Sequence, residues 1–371
     1  MAGTLDLPDT PPVAYAIFAH CFTCSRFVPA ASRVCKTLAA RGIACLRFDF
    51  PGLGQSEGDF ADTTFSTNVD DLVAAAQWLT QEYEAPQLLI GHSLGGAAVL
   101  KAAATRPELG SVAAVATMGA PFDAAHAVLH FADHIRDAEE DGCVTVTLGG
   151  RDIDISREFL EDLADNNPET YLPKLRKPLL LLHSPTDQTV GVDNAQKIFL
   201  KTRYPKSLVT IDKADHLFTR GDSAQRVGRI IAEWVQPYLT PAYEEPEVSD
   251  DQVTSRMMVG SRHGTIVHTA GGTLHSDRDK AAGGRGQGHS PISLLMSGMA
   301  AATTQAIREA ATDMPLIDAH VTVTHATRNI FERKIDLIGD LTEPQRRALL
   351  NAATTKFQRM LPDVKILDVP A

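Results

Sequence analysis

Six short apolar runs mark the chain as far as residue 240: Val13–His20, Ala44–Phe50, Gln87–Gly91, Val112–Met118, Pro178–His183 and Ser207–Ile211. Each is rich in Val, Ile, Leu or Ala, and none alternates apolar with polar, which is the pattern of strands covered on both faces. Between them lie stretches of helical periodicity: Pro29–Ala40, Thr67–Tyr83, Leu94–Ala104, Asp193–Lys201 and Ala224–Tyr238. Strand and helix in alternation require a mostly parallel sheet with helices on both sides, an α/β architecture.

One stretch breaks the rhythm. Residues 122–177 are expected to form a helix over Ala124–Asp137, a two-stranded ribbon (Val144–Leu148 with Asp152–Ile155) and a helix from Arg157. An insertion at the end of a sheet strand is well placed to become a lid. Further on, "TPAYEEPEVSDDQ" carries two prolines and five acidic residues, a linker composition, and puts a boundary near residue 245. The expected division is 1–240, a linker over 241–254, and a second domain over 255–371. That domain mixes short glycine-punctuated strands with two long helices, Ile292–Ala311 and Leu341–Leu361, so it is expected to be α+β. The glycine-rich "AAGGRGQG" at 281–288 is expected to be a flexible loop.

A formal net charge of -11 argues against a general nucleic-acid binder, which needs a basic face for phosphates. No apolar stretch is long enough to span a bilayer, and the first residues lack the pattern of a signal peptide. The five cysteines, Cys21, Cys24, Cys35, Cys45 and Cys143, are odd in number and confined to the first half. A disulfide framework is therefore not expected, and a reducing cytoplasm fits.

Chemistry concentrates at "IGHSLGG", where Ser93 stands between glycines after one strand and before one helix. Gly91-His92-Ser93-Leu94-Gly95 fits Gly-x-Ser-x-Gly, a tight turn that exposes a serine hydroxyl. Such a hydroxyl needs a histidine to take its proton and an acid to hold that histidine. "PLLLLHSPTDQTV" supplies Asp187 in the turn after a strand, and "LVTIDKADHLF" supplies His216 after the last one. Asp212 and Asp215 compete with Asp187 for the orienting role, but both sit in the base's own loop.

With Ser93, Asp187 and His216 in that order, residues 10–240 resemble an α/β-hydrolase, and "RFDFPGLGQSEG" is similar to the segment preceding the nucleophile in that family. The resemblance implies a serine esterase that acts through an acyl-enzyme, without cofactor or metal. Its oxyanion hole is expected at the backbone N–H groups of Leu94 and, in "AIFAHCFTCSR", of Phe22. Phe122, Leu129, Phe131 and Ile153 are expected to line the substrate site beneath the lid, although packing within the insertion is an equal alternative. The implied substrates are short to medium acyl esters, including aryl esters. Cys21-Phe22-Thr23-Cys24 spells C-x-x-C, which is compatible with a redox pair or half a zinc site, but no second pair exists and loop composition accounts for it. A thiol-dependent peroxidase using Cys21 and Cys24, or a non-catalytic binding protein, is the alternative function.

Residues 255–371 resemble the OsmC/Ohr family, on "GQGHSPISLLMSGMAAATTQAIRE" and "FERKIDLIGDLTEPQRRALLNAATTKFQRMLPDVKILDV". The family's two reactive cysteines map onto Ala302 and near Thr355, and the chain has no cysteine after Cys143. Neither alanine nor threonine yields the thiolate that attacks a peroxide. The resemblance therefore implies a non-peroxidatic domain and, through a helix striped with Ile292, Leu295, Met296 and Met299, a homodimer. The expected partners are a small-molecule ester and a second copy of the chain, with neither nucleic acid nor membrane.

Overall fold

The structure, a computed structural model, describes residues 1–21, 24–125, 143–148, 151–239, 247–327, 330–360 and 364–369. These fall into two compact units: Met1–Glu245 with Val259–Arg262, and Pro246–Met258 with His263–Ala371.

The first unit is built on a seven-stranded sheet. Its strands are β1 (Gly3–Asp6), β2 (Ala14–Ala19), β3 (Ile43–Phe48), β4 (Leu88–His92), β5 (Ala114–Met118), β8 (Leu179–His183) and β9 (Lys206–Thr210), in the spatial order β1-β3-β2-β4-β5-β8-β9. All neighbours run parallel except β1, which pairs antiparallel with β3. Every residue of β2, β3, β4, β5 and β8 is buried, as their unbroken apolar sequences require. Helices α1 (Pro29–Ala39) and α6 (Ser223–Val235) bury Val34, Leu38, Val227 and Ile231 against one face. Helices α2 (Phe65–Glu82), α3 (Leu94–Thr105) and α5 (Asp193–Lys201) bury Val69, Leu72, Ala97, Leu100 and Ile198 against the other.

The sequence pattern did not announce β1. The strand is short and half-exposed, and its place is set by an ion pair: Asp6 accepts from Arg47 at 2.7 Å. Arg47 is the single charge inside β3, and its other donor reaches the Arg26 carbonyl at 2.6 Å. The strand therefore gives a buried guanidinium its partner.

Within the insertion, β6 (Cys143–Leu148) and β7 (Arg151–Ser156) pair antiparallel and lead into α4 (Arg157–Ala164), capped by the Ser156 hydroxyl. The helix expected over Ala124–Asp137 lies outside the described residues beyond its first two positions.

The second unit contains two three-stranded sheets. One is the antiparallel meander β10 (Val253–Met257), β11 (Thr265–Thr269) and β12 (Gly272–Ser276); the other joins β13 (Leu316–Thr327), β14 (Ile330–Gly339) and β15 (Lys365–Asp368). Helices α7 (Pro291–Ala310) and α8 (Glu343–Met360) complete it. Alternate residues of β14, Phe331, Arg333 and Ile335, are buried, Ile335 in a small core with Ile307, Leu349 and Ala353 and Phe331 in another with Met299. Arg333 sits there fully buried because all five of its N–H donors are used, on Asp368, Thr303, Thr354 and the Ala353 carbonyl.

Two expectations need correction. Cys21 and Cys24 are joined by a disulfide, not merely juxtaposed by loop composition. The Cys24 N–H is donated to the Cys21 carbonyl at 3.2 Å, and the two Cα atoms are 5.4 Å apart, a bridgeable separation. The glycine-rich loop at 281–288 is also held in place. Buried Asp277 accepts from the backbone N–H groups of Arg278, Arg285 and Gln287, and a Cβ at Gly284 would collide with the Arg278 carbonyl.

Candidate active site

The site forms where the parallel strands end. After β4 the backbone turns sharply at Ser93, whose φ of 54° is in the left-handed region that non-glycine residues rarely enter. Such a turn leaves no room around it. A Cβ at Gly91 would stand 2.3 Å from the Gly95 carbonyl oxygen, and one at Gly95 would stand 2.4 Å from the His20 carbonyl oxygen. Both flanking glycines are thus required by close backbone approach.

The structure brings Ser93, Asp187 and His216 together. His216 Nε2 lies 3.0 Å from Ser93 Oγ, and its Nδ1 lies 2.7 Å from Asp187 Oδ2. Since the carboxylate only accepts, Nδ1 carries the proton and Nε2 is left as the acceptor for the serine hydroxyl. The second Asp187 oxygen accepts from the N–H groups of Thr189 and Val190, both at 2.9 Å. Burial pushes the Asp187 carboxyl up, but the His216 hydrogen bond and charge, together with those two amides, outweigh it and hold the group below the ordinary aspartate range. Asp215 is occupied elsewhere, capping Thr219 and Arg220, and Asp212 is exposed.

Leu94 opens α3, so its N–H is among those that a helix start leaves without an intrahelical partner. Phe22 lies outside the described residues, between the two bonded cysteines. The loop on either side of it is tied down. His20 donates Nδ1–H to the Cys21 carbonyl at 2.7 Å, and burial lowers its pKa, so the ring stays neutral. Arg26 forms a buried ion pair with Asp49 and also donates its backbone N–H to that carboxylate. Asp49 in turn holds the Gly-rich segment after β3 through the Gln55 N–H at 2.9 Å.

Beside Leu94 lies a small cavity of about 10 Å³, lined by His20, Cys21, Phe50, Phe60, Asn68 and Leu94 among others. None of these was expected as a substrate contact, and Leu94 was expected only as an oxyanion donor. Of the four residues that were, Leu129 and Phe131 lie outside the described residues. Ile153 is buried in the core with Phe159 and Leu163, and Phe122 packs partly buried against the same cluster.

Sequence reasoning passed over His92, the variable position of the motif. It is fully buried and reaches the His216 carbonyl at 2.8 Å, a contact across 124 positions that no local pattern announces. Among the described residues no cluster of His, Cys, Asp or Glu is placed to hold a metal ion, and no helix is long and apolar enough to cross a membrane.

Known proteins carry the same architecture. The esterase domain of a Rhodothermus marinus protein is 46% identical, covers 63% of this chain and 91% of its own, and superposes with a TM-score of 0.50. Est1E from Butyrivibrio proteoclasticus, seen with ferulic acid bound, is 21% identical with a TM-score of 0.52 over 64% of this chain and 94% of its own, a likeness of fold alone. A mitochondrial palmitoyl-protein thioesterase of Homo sapiens, ABHD10, is 34% identical over 116 residues, which are 28% of this chain. The match spans about a third of that relative's length, 36%. Residues 16–268 match the description of the alpha/beta hydrolase family, more than half of the chain, and the protein belongs to that family.

Proposed function

We propose that this hydrolase is a serine carboxylesterase that cleaves short to medium acyl or aryl esters through an acyl-enzyme on Ser93. The observation that carries the reading is the unbroken line from Asp187 through His216 to Ser93, at 2.7 and 3.0 Å. His216 takes the Ser93 proton as the hydroxyl attacks the ester carbonyl. Asp187, held ionised, stabilises the imidazolium. The N–H groups of Leu94 and Phe22 receive the developing oxyanion, each worth about 3 kcal/mol of barrier. The imidazolium then protonates the leaving alkoxide, and water repeats the sequence to release the acid.

The relative named a palmitoyl-protein thioesterase makes thioesters and longer chains the competing class. Steady-state kinetics of Ser93→Ala on p-nitrophenyl acetate test the reading, with a panel of p-nitrophenyl esters and acyl thioesters of increasing length run beside it. Loss of turnover in the variant is expected. Turnover at the parent rate would remove the esterase reading, and a preference for palmitoyl thioesters would move the substrate class.

A second reading is favoured by the Cys21–Cys24 disulfide. In the reducing cytoplasm that composition suggests, the pair would exchange with small thiols and could support peroxide reduction. Thiol-dependent consumption of cumene hydroperoxide that disappears in Cys21→Ala would promote it.

For the second unit we propose an OsmC-like, non-peroxidatic dimerisation domain. Its long central helix and two sheets support this, as do the two positions left by the family's cysteines. Ala302 adjoins Thr303, Thr355 adjoins Thr354, and both threonines accept from Arg333. A homodimer is supported by the helix stripe, in which Met299 is buried but Ile292 and Leu295 are 37% and 43% exposed.

A further inference from the structure

Beneath the base lies a buried histidine that the reaction scheme does not use. His92 ends β4 immediately before Ser93 and has no exposed surface. Its Nε2 lies 2.8 Å from the carbonyl oxygen of His216. A carbonyl only accepts, so the tautomer is fixed: Nε2 bears the hydrogen, and Nδ1 keeps the lone pair.

The loop this contact holds is also tied internally, by Asp215 to the N–H groups of Thr219 and Arg220. Lys213 and Phe218, on either side of His216, both take positive φ, at 62° and 52°. Two of the carbonyls between them are taken by buried donors from neighbouring strand ends. Ser184 Oγ donates to the Ala214 carbonyl at 2.7 Å, and His92 donates to that of His216 itself. The His92 ring also packs edge-on to Phe218, with centroids 5.7 Å apart.

We propose that His92 is a positioning residue for the base: its Nε2–H, donated to the His216 carbonyl, sets the point from which the imidazole reaches Ser93. Asp187 fixes the ring from its far side, and His92 fixes the backbone that carries it. The choice of donor matters because the rings of His92 and His216 are 5.3 Å apart. An arginine or lysine would offer the same hydrogen bond but place a permanent positive charge beside the imidazolium formed during turnover. Burial, and then the charge of His216, lower the His92 pKa to about 3, so this donor stays neutral. The proposal rests on the serine-hydrolase reading above.

The test compares His92→Gln with His92→Met, side chains of nearly equal length and volume of which only glutamine donates. The readouts are kcat and KM on p-nitrophenyl acetate, the rate at which a fluorophosphonate labels Ser93, and thermal melting. The methionine variant is expected to lose on the order of 10- to 100-fold in kcat and in labelling rate, with KM unchanged, as a small misplacement of a reacting group does. The glutamine variant is expected to stay within about threefold of the parent, since the neutral donor is restored. Equal kcat in the two variants, whether both high or both low, overturns the proposal, as does a loss confined to KM. Ser93→Ala in the same assay separates the two ideas: if it keeps the parent rate the hydrolase reading has failed, and if it is dead while the two His92 variants match, only the role of His92 has failed.

Discussion

The two units of this chain bury their sheets in opposite ways. In the first, strands β2 to β5 and β8 have no exposed residue, because helices close both faces. In the second, β10 and β12 are exposed along most of their length, and Val253, Met257 and Ile317 are 67%, 81% and 76% exposed. A three-stranded meander without a covered face is marginal in water. The first unit is thus complete as a core. The second is built as though part of its cover comes from elsewhere, and for this we propose a second copy of the chain. Chemistry that tolerates no misplacement is found on the finished sheet. Under that proposal, assembly falls to the unfinished ones.

The largest expected effect tests the finished side. Ser93→Ala is expected to lower kcat on p-nitrophenyl acetate at least about 10³-fold while leaving the oligomeric state untouched. Asp187→Asn is expected to cost roughly 10³- to 10⁴-fold, because the amide cannot hold His216 in the tautomer that frees Nε2. The same residue carries a pH signature. The folded protein depresses the Asp187 pKa, so its ionised form favours folding. That stabilisation is full above the unfolded value of about 4 and is lost as pH falls through the lower folded value. The difference in Tm between parent and Asp187→Asn should be widest near neutrality and shrink at acid pH. A difference that ignores pH would contradict the assignment.

On the unfinished side, Leu295→Glu is expected to convert a dimer into a monomer in light scattering and to leave kcat within about twofold, since only an exposed position on α7 changes. A dimer that survives would move the interface elsewhere, and a large loss of activity would break the division of labour between the units. Arg333→Leu is expected to destabilise the second unit by about 2–4 kcal/mol, a loss moderated because its partner Asp368 can turn to solvent. The smallest effect is expected from Cys21→Ser with Cys24→Ser. A ring closed across three residues contributes on the order of 2 kcal/mol, and catalysis should fall only so far as the Phe22 amide loosens.

Much of the first unit was legible because its strands and its nucleophile turn obey local rules. Unbroken apolar runs announce buried parallel strands, and Gly91 and Gly95 announce the crowding that Ser93 requires. What escaped depends on distant partners. Strand β1 exists for the sake of Arg47. His92 acts on a carbonyl far along the chain. The disulfide is the exception: its cysteines are three positions apart, and spacing alone does not disclose whether they pair. In the second unit the stripe of Ile292 and Leu295 gave the helix correctly, but not which way it faces, because a pattern of apolar positions does not distinguish a core from an interface.

Intact-protein mass spectrometry during the first turnovers of p-nitrophenyl acetate, followed by peptide mapping, tests the central claim most directly. The account predicts a transient single acetyl group on the peptide containing Ser93, absent in Ser93→Ala. Continued hydrolysis with Ser93 unmodified, or an acetyl group equally abundant in the alanine variant, would contradict it.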